Sequence, residues 1–489
     1  MDTQVDVVVV GGGNAGFSAA HAAAERGRGV LVLEKGDAES SGGNSFYTAG
    51  AFRFVHDGIP DIADLLDDDE RLPVSVLPSY PPEAFRADME KVTSGRNDRE
   101  LTEALIEDSR DVMRWLHGLG LRFRLLYERQ AYRDDATGRY MFWGGLAVGS
   151  TEGGKGLVAE HTRAARAAGV QIRYGTRAGD LVLEDGRVRG VTWRDDSGGR
   201  GTVRAESVVL AAGGFEADAE MRAEHLGAPW EHAKVRGTPL NTGDMIRSAM
   251  VAGAASSGDW GTCHSVAWDA CFPDNESNRE LTNRLTRGGY PLGIVVNARG
   301  ERFLDEGADY RNYTYAKYGA AILEQPGGQA FQVFDATTRA RLRTEEYDMP
   351  GASVVVADTV PELASAMDVD RGTLVATVEE FNAGIDRSVP FDPAVKDGRA
   401  SHADPPKSNW AVPLETPPFY AFPVTCGITF TFGGVRADTG ARVLDPSGAR
   451  IPGLFVCGEM LGGLFSGNYP GGAGLTAGAV FGRRAGRAA

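Results

Sequence analysis

Gly11, Gly13 and Gly16 stand in the spacing G-x-G-x-x-G, and an acid, Glu34, follows 18 residues after the last of them. Glycines in this pattern strip side chains from a turn, so that a diphosphate reaches bare backbone. An acid at that distance accepts hydrogen bonds from a ribose diol. Gly11 is expected to make the turn, Gly13 to admit the diphosphate and Gly16 to let helix meet strand. Asn14 and Ala15 would offer the free N–H groups of a helix start, where anions bind, and Lys35 stands beside the acid. At the other end of the chain, Gly467, Gly471, Gly472 and Gly474 surround one tyrosine, Tyr469, in "SGNYPGGAGLTAGAVFGRRAG" (466–486). Bare backbone at the mouth of a helix, here at Gly474, Leu475 and Thr476, suits a group that gains negative charge during a reaction.

The elements that must position these residues are legible around them. With 65 glycines among 489 residues, a lone glycine triplet recurs by chance. Its context gives it meaning. The apolar β-branched run 5–10 reads as a buried parallel strand. The alanine-rich 15–26 reads as a helix and 30–33 as a second strand. The ligand is NAD or FAD. A second glycine loop in 39–54, with Gly42, Gly43, Asn44 and Ser45, tilts the reading to FAD, because it would lie along a long extended cofactor. No histidine stands in that loop to carry a covalent flavin bond, so FAD is expected to be non-covalent. The strand in 205–218 ends in the small residues Ala211, Ala212, Gly213 and Gly214, which let a cofactor lie at its carboxyl end. The strand 451–457 runs into Gly458 and Glu459, and Glu459 can bond a ribityl hydroxyl.

Between these ends the chain reads as an α/β protein, a Rossmann-like domain carrying an inserted domain. Residues 60–100 are acidic and proline-bearing and read as a solvated excursion. An amphipathic helix or two follows, and then a helix, strand and hairpin over 153–194, with Ala178 expected at the cofactor. A helix in 241–255 has Thr242 and Asp244 as N-cap candidates. From 258 aromatic, histidine and arginine residues intersperse, as in a substrate domain. That texture ends at the proline-rich, linker-like 406–424. Trp143 and Arg236 are possible pocket residues. Cys263 beside His264 suggests a nucleophile pair, but the side chains of successive residues usually point apart.

A net charge of −16 argues against nucleic acid, whose phosphates require a basic stripe. The four cysteines form no C-x-x-C motif, which fits a reduced, cytoplasmic protein. No metal site is expected. No run approaches the ~18 apolar residues of a membrane span, and the run 7–10 begins too early for a signal peptide.

The stretches "VVVVGGGNAGFSAA", "GGNS", "VRGTPLNTGD", "RFLDEGADYRNYTYAKYG", "PKSNWA", "CGITFTFGG" and "GEMLGGLFSGNYPGGAGLTAGAVFGRRAG" resemble the fumarate reductase/succinate dehydrogenase flavoprotein family, in its soluble branch. Within it the likeness is nearest to FAD-dependent tricarballylate dehydrogenases. The resemblance implies an FAD-binding domain over 1–257 and 409–489 and an α+β capping domain over 258–408. It also implies hydride transfer between a C–C bond and the flavin N5. His264 matches the family's substrate histidine. Arg302, Phe303 and Glu306 match R-F-x-x-E, and the proton-carrying arginine that follows falls by counting on Tyr310, with Arg311 beside it. Arg311 is the expected carboxylate clamp or proton relay, with Tyr310 and Tyr313 as competitors.

Two departures stand out. The histidine before T-x-G-G is absent from Thr429-Phe430-Thr431-Phe432-Gly433-Gly434, and Tyr469 follows Asn468 where the family has a clamp arginine. Each charge-assisted hydrogen bond lost is worth roughly 1.5–3 kcal/mol, so fumarate or succinate fits poorly. Tyr469 offers a neutral donor instead, and related ketosteroid dehydrogenases place a tyrosine–glycine element similarly. The expected function is a dehydrogenase that desaturates a carbon chain beside a carboxylate or carbonyl. The alternatives are a ketone desaturase, an enoate reductase, or a flavoprotein electron-transfer subunit without turnover. A separate acceptor would take the electrons: a membrane iron–sulfur/haem partner, a quinone or dioxygen.

Overall fold

The computed structural model describes residues 3–134, 136–272 and 278–489. The chain forms two compact units. One comprises residues 1–228, 237–263 and 430–489; the other comprises 229–236 and 264–429.

The first unit is built on an eight-stranded sheet. The strand Thr3–Val10 lies at its centre, parallel to Val30–Leu33 on one side and to Arg200–Leu210 on the other. Gln171–Arg173 extends the parallel set beyond Val30–Leu33. Arg450–Val456 extends it beyond the last residues of Arg200–Leu210. The first residues of Arg200–Leu210 pair instead with the hairpin Thr176–Glu184/Arg187–Asp195. Val7, Val8 and Val9 are fully buried, as a parallel strand covered on both faces requires. Burial of each is worth about 1.5–3 kcal/mol.

Two helices lie together over this sheet. The first, Asn14–Ala24, is apolar almost all round. The last, Ala473–Ala488, packs on it through Gly478, Gly482 and Gly486, which recur every four residues and so share one face. A Cβ on Gly482 would overlap the Ala15 carbonyl oxygen, and one on Gly486 would overlap that of Ala19. The glycines therefore set the distance at which the two ends of the chain meet.

The acidic excursion is more than a solvated loop. Its helix Pro82–Thr93 buries Phe85 and Met89 completely. Its Asp88 accepts from the fully buried Arg53 at 2.6 Å, and Tyr80 donates to the same carboxylate. Arg53 Nε also holds the Gly471 carbonyl at 2.8 Å, just ahead of the last helix.

The second unit has a six-stranded sheet, in which Lys234–Val235, Phe419–Thr431, Gln329–Phe334 and Ile294–Asn297 lie in that order. Cys263–Asp269 and Val355–Ala357 also pair with the long strand Phe419–Thr431. Helices Val360–Met367 and Arg371–Ala383 close its core on Ile294, Val296, Leu374 and Phe381. The segment 406–424 is not a linker: Phe419–Thr431 is a sheet strand, and Lys407 and Trp410 are buried. Four of its prolines precede that strand and Pro423 lies within it opposite Phe331, a content that composition alone reads as a break.

Candidate active site

In the first unit the glycine loop occupies the carboxyl end of the central strand. Gly11 adopts φ +107°, and a Cβ there would overlap the Ala211 carbonyl oxygen. A Cβ on Gly16 would overlap the carbonyl oxygen of Gly11. Both positions are therefore closed to any other residue. Glu34 is buried at the end of the second strand, and its two oxygens accept from Gly12 N at 2.7 Å and Gly36 N at 2.8 Å. Ala178 stands opposite Trp193 in the hairpin, two residues past Thr176, whose N–H bonds the Glu34 carbonyl.

The second loop joins the first directly. Ser45 Oγ accepts from Asn14 N at 3.0 Å. Asn44 Nδ2 donates to Glu216 Oε1 at 2.6 Å, and Asn241 Nδ2 donates to the same oxygen at 2.6 Å. Gly213 is closed to a Cβ by Asn241, and Gly214 by Glu459 and Thr431. Glu459 Oε1 accepts from Thr431 N at 2.8 Å. Gly458, at φ +69°, leaves room for Ala15. Ala212 N points to Met460 Sδ at 3.2 Å. Asn14 Nδ2 donates to the Leu475 carbonyl at 2.8 Å. Thr476 Oγ1 donates to the Gly472 carbonyl at 3.3 Å, and a Cβ on Gly474 would lie 3.9 Å from Phe430 and Tyr469. Every expected cofactor residue thus belongs to this unit, and the contacts link its glycine loops to the first turn of the last helix.

Two details differ from expectation. Thr242 and Asp244 do not cap the helix Asp244–Val251; Gly243 does, at φ 67°. The cause is Lys35, whose Nζ takes Thr242 Oγ1 at 2.7 Å, Asp244 at 3.0 Å and the Leu240 carbonyl at 2.8 Å. Lys35 is thereby a structural pin, its pKa lowered by burial. The last helix begins at Ala473, with Gly472 in the left-handed region at its N-cap.

Glu216, absent from the expected set, is fully buried beside Glu459. Burial and the neighbouring carboxyl push Glu459 well above the usual carboxylate range, and burial raises Glu216 too. Its Oε2 is buried without a hydrogen-bond partner, so nothing there offsets the burial that disfavours its charge. The signal was available: Glu216 follows Gly213-Gly214-Phe215 on the strand end already singled out.

Tyr469 packs edge-on against Phe430 at 4.9 Å and Phe465 at 5.5 Å between ring centroids, and Phe432 adjoins both phenylalanines. Asp259 steadies this loop by accepting from Ser466 Oγ at 2.5 Å and Thr262 Oγ1 at 2.7 Å. Trp143 is half-buried in the same unit.

The second unit holds the expected basic residues. His264 lies buried on its strand, edge-on to Tyr315 at 5.1 Å. The Arg311 guanidinium lies over the Tyr315 ring at 5.8 Å and 3.6 Å from Glu346. Arg236 donates to Thr286 Oγ1 and Thr429 Oγ1, each at 3.0 Å. Burial, with the nearby Arg236 charge, holds the His264 pKa well below its ordinary value, so the ring is neutral. Tyr310 turns away: its ring lies against Trp410 and its hydroxyl reaches the Ala394 carbonyl. Tyr313 is half-buried in the one-turn helix Arg311–Thr314. The structure thus gathers His264 and Arg311 around Tyr315, a residue not singled out among three close tyrosines, with the Arg236 charge near His264. Cys263 and His264 are successive residues of one strand, and the thiol is buried.

The first unit fits a dinucleotide on its own geometry. Loops stripped of Cβ atoms meet two helix mouths, at Gly13 and Gly472, that have no side-chain cap. Residues 6–475 match the FAD binding domain family model, and the chain belongs to this family, that of the fumarate reductase and succinate dehydrogenase flavoproteins. It is an FAD-dependent oxidoreductase of the group acting on CH–CH bonds. It is 31% identical over 484 residues to a probable fumarate reductase of Shewanella frigidimarina, covering 98% of this chain and 74% of that protein. It is 29% identical to the 4-oxocyclohexanecarboxylate 2-dehydrogenase of Sinomonas cyclohexanicum, over 97% of this chain and 90% of that one. The 3-ketosteroid-Δ4-(5α)-dehydrogenase of Rhodococcus jostii, solved with 4-androstene-3,17-dione, superposes with a TM-score of 0.71 at 25% identity, covering 99% and 96%. Among the described residues no helix is long and apolar enough to cross a membrane.

Proposed function

We propose that the protein is a dehydrogenase that desaturates a carboxylate substrate, of the tricarballylate type. FAD, bound non-covalently in the first unit, supplies the hydride acceptor. The observation that carries the reading is the group Arg236, His264, Tyr315 and Arg311. Thr286 and Thr429 orient the Arg236 guanidinium through their hydroxyls. A guanidinium so fixed matches a carboxylate in two parallel hydrogen bonds. Neutral His264 donates one proton and holds a lone pair, so it serves as a hydrogen-bond partner rather than a second cation. Arg311, tied to Glu346, stays charged and takes the part of clamp or proton relay. Tyr310 and Tyr313 are weaker candidates for the proton. In the first unit, Glu34 would meet the ribose, Glu459 the ribityl chain, and the N–H groups of 474–476 the end of the cofactor that gains charge.

A second reading, desaturation of a cyclic ketone, is favoured by Tyr469 among Phe430, Phe432 and Phe465 in place of a charged clamp. Electrons then pass to a separate acceptor in the cytoplasm, be it a membrane iron–sulfur/haem protein, a quinone or dioxygen. Anaerobic mixing of FAD-loaded protein with panels of carboxylic acids and cyclic ketones separates the readings. Carboxylic acids should bleach the flavin and ketones should not. Bleaching by ketones alone would favour the second reading. A flavin that no organic substrate bleaches would mark an electron-transfer subunit.

A further inference from the structure

Two buried histidines adjoin the diphosphate loop and take no part in the chemistry above. His21 lies two turns after Asn14 on the first helix, and His161 lies on the helix Gly153–Ala167. His21 Nε2 stands 3.2 Å from His161 Nδ1, and His161 Nε2 stands 3.1 Å from Asn14 Oδ1. Asn14 Nδ2 donates in turn to the Leu475 carbonyl at 2.8 Å.

This chain of contacts fixes every proton in it. Turning the Asn14 amide over would bring its oxygen to 2.8 Å from the Leu475 oxygen, two acceptors in contact. The amide nitrogen therefore faces Leu475, and Asn14 Oδ1 must accept from His161 Nε2–H. His161 Nδ1 then carries a lone pair and accepts from His21 Nε2–H. His21 Nδ1 ends the relay, buried and without a partner. Phe17 stacks on the His161 ring at 5.7 Å with 11° between planes, holding its orientation. Gly478 makes room for the amide, since a Cβ there would lie 3.0 Å from Asn14 Nδ2.

Apolar side chains would fill this space without burying two imidazoles and an amide, each of which costs free energy unless hydrogen-bonded. The polar relay adds register. It ties a carbonyl in the first turn of the last helix to the first residue of the first helix. We infer that His161, braced by His21, is a positioning residue: through Asn14 it locks the 474–476 helix mouth in register with the diphosphate loop, so that FAD is gripped at its diphosphate and its flavin end together. The inference rests on the reading that residues 474–476 meet the far end of the cofactor.

The test compares FAD with ADP, which reaches only the diphosphate loop, by equilibrium titration of the apoprotein. His161→Leu should raise the Kd for FAD at least tenfold and change that for ADP less than twofold. His161→Gln, whose amide can donate to Asn14 and accept from His21, should restore FAD binding to within threefold of the parent. Equal losses for FAD and ADP, or no loss for either, overturn the positioning role. So does a Gln variant as weak as the Leu variant. Should His161→Leu fail to fold, Gly478→Ala, which crowds the Asn14 amide and leaves both histidines alone, must show the same FAD-selective loss. Gly474→Val tests the underlying reading separately. If it leaves FAD binding unchanged, residues 474–476 do not meet the cofactor. If it weakens FAD while His161→Leu does not, only the relay is refuted.

Discussion

Arg236 is the residue on which substrate choice turns in this account. Replacing it with methionine keeps much of the volume and removes the charge. Loss of a charge-assisted pair worth roughly 1.5–3 kcal/mol raises KM for the preferred acid about ten- to hundredfold. Steady-state assays should show that rise while the FAD content stays at the parent level; an unchanged KM would remove Arg236 from the substrate's surroundings. Glu459 offers a second test of single-residue physics. Its folded pKa is raised, so above the ordinary carboxylate range the unfolded chain releases a proton that the fold retains. Stability from this group is therefore full at low pH and declines as pH rises. In the apoprotein, Glu459→Gln should raise the melting temperature relative to the parent, and by more at pH 8 than at pH 5. A gain that does not depend on pH would contradict the raised pKa of Glu459.

Among the elements, the pairing of the first and last helices decides whether the cofactor loops exist. Gly482 lies against the Ala15 backbone, which cannot step aside as a flexible side chain could. Overpacking costs typically about 1–3 kcal/mol. Gly482→Val should reach the upper part of that range, lower the melting temperature and leave the purified protein short of FAD. Unchanged stability and FAD content would show that the two helices do not set the loops. This contact was half legible. The strand–glycine–helix start could be read because its period changes sharply from an apolar run to an alanine-rich helix. The glycines at 478, 482 and 486 share one face but resemble ordinary loop punctuation in so glycine-rich a chain. Thr242 and Asp244 were misjudged for a different reason. Their caps were plausible locally, and a lysine some 200 residues away in sequence claimed both. Likewise 406–424 reads as a break by composition, yet from Phe419 it belongs to a packed strand paired with partners distant in sequence.

Across the whole molecule, His21, His56, His161 and His264 are all buried with lowered pKa values, those of His21 and His56 falling to about 4. Between that value and 6.5 the unfolded chain takes up protons that the fold refuses, so stability rises with pH through this window. His21 alone contributes a change of about 3 kcal/mol. The urea midpoint of the apoprotein should climb from pH 4.5 to 6.5, and less steeply in His161→Gln; a midpoint flat across the window would contradict burial of neutral histidines. The cofactor half of the fold was readable at both ends of the sequence, because bare-backbone loops leave a glycine signature. The substrate half was readable only in part. Tyr310, Arg311, Tyr313 and Tyr315 stand within six residues, and only side-chain direction separates Tyr310, against Trp410, from Tyr315, beside His264.

The most direct test of the central claim is an anaerobic single turnover with product analysis. FAD-loaded protein is mixed with one equivalent of the carboxylic acid that bleaches it fastest, and the organic product is weighed by mass spectrometry. The account predicts one flavin reduced per molecule of acid consumed, and a product lighter by two hydrogens with its carboxylates intact. A product that has gained oxygen or lost carbon dioxide, or an acid recovered unchanged beside an oxidised flavin, would contradict it.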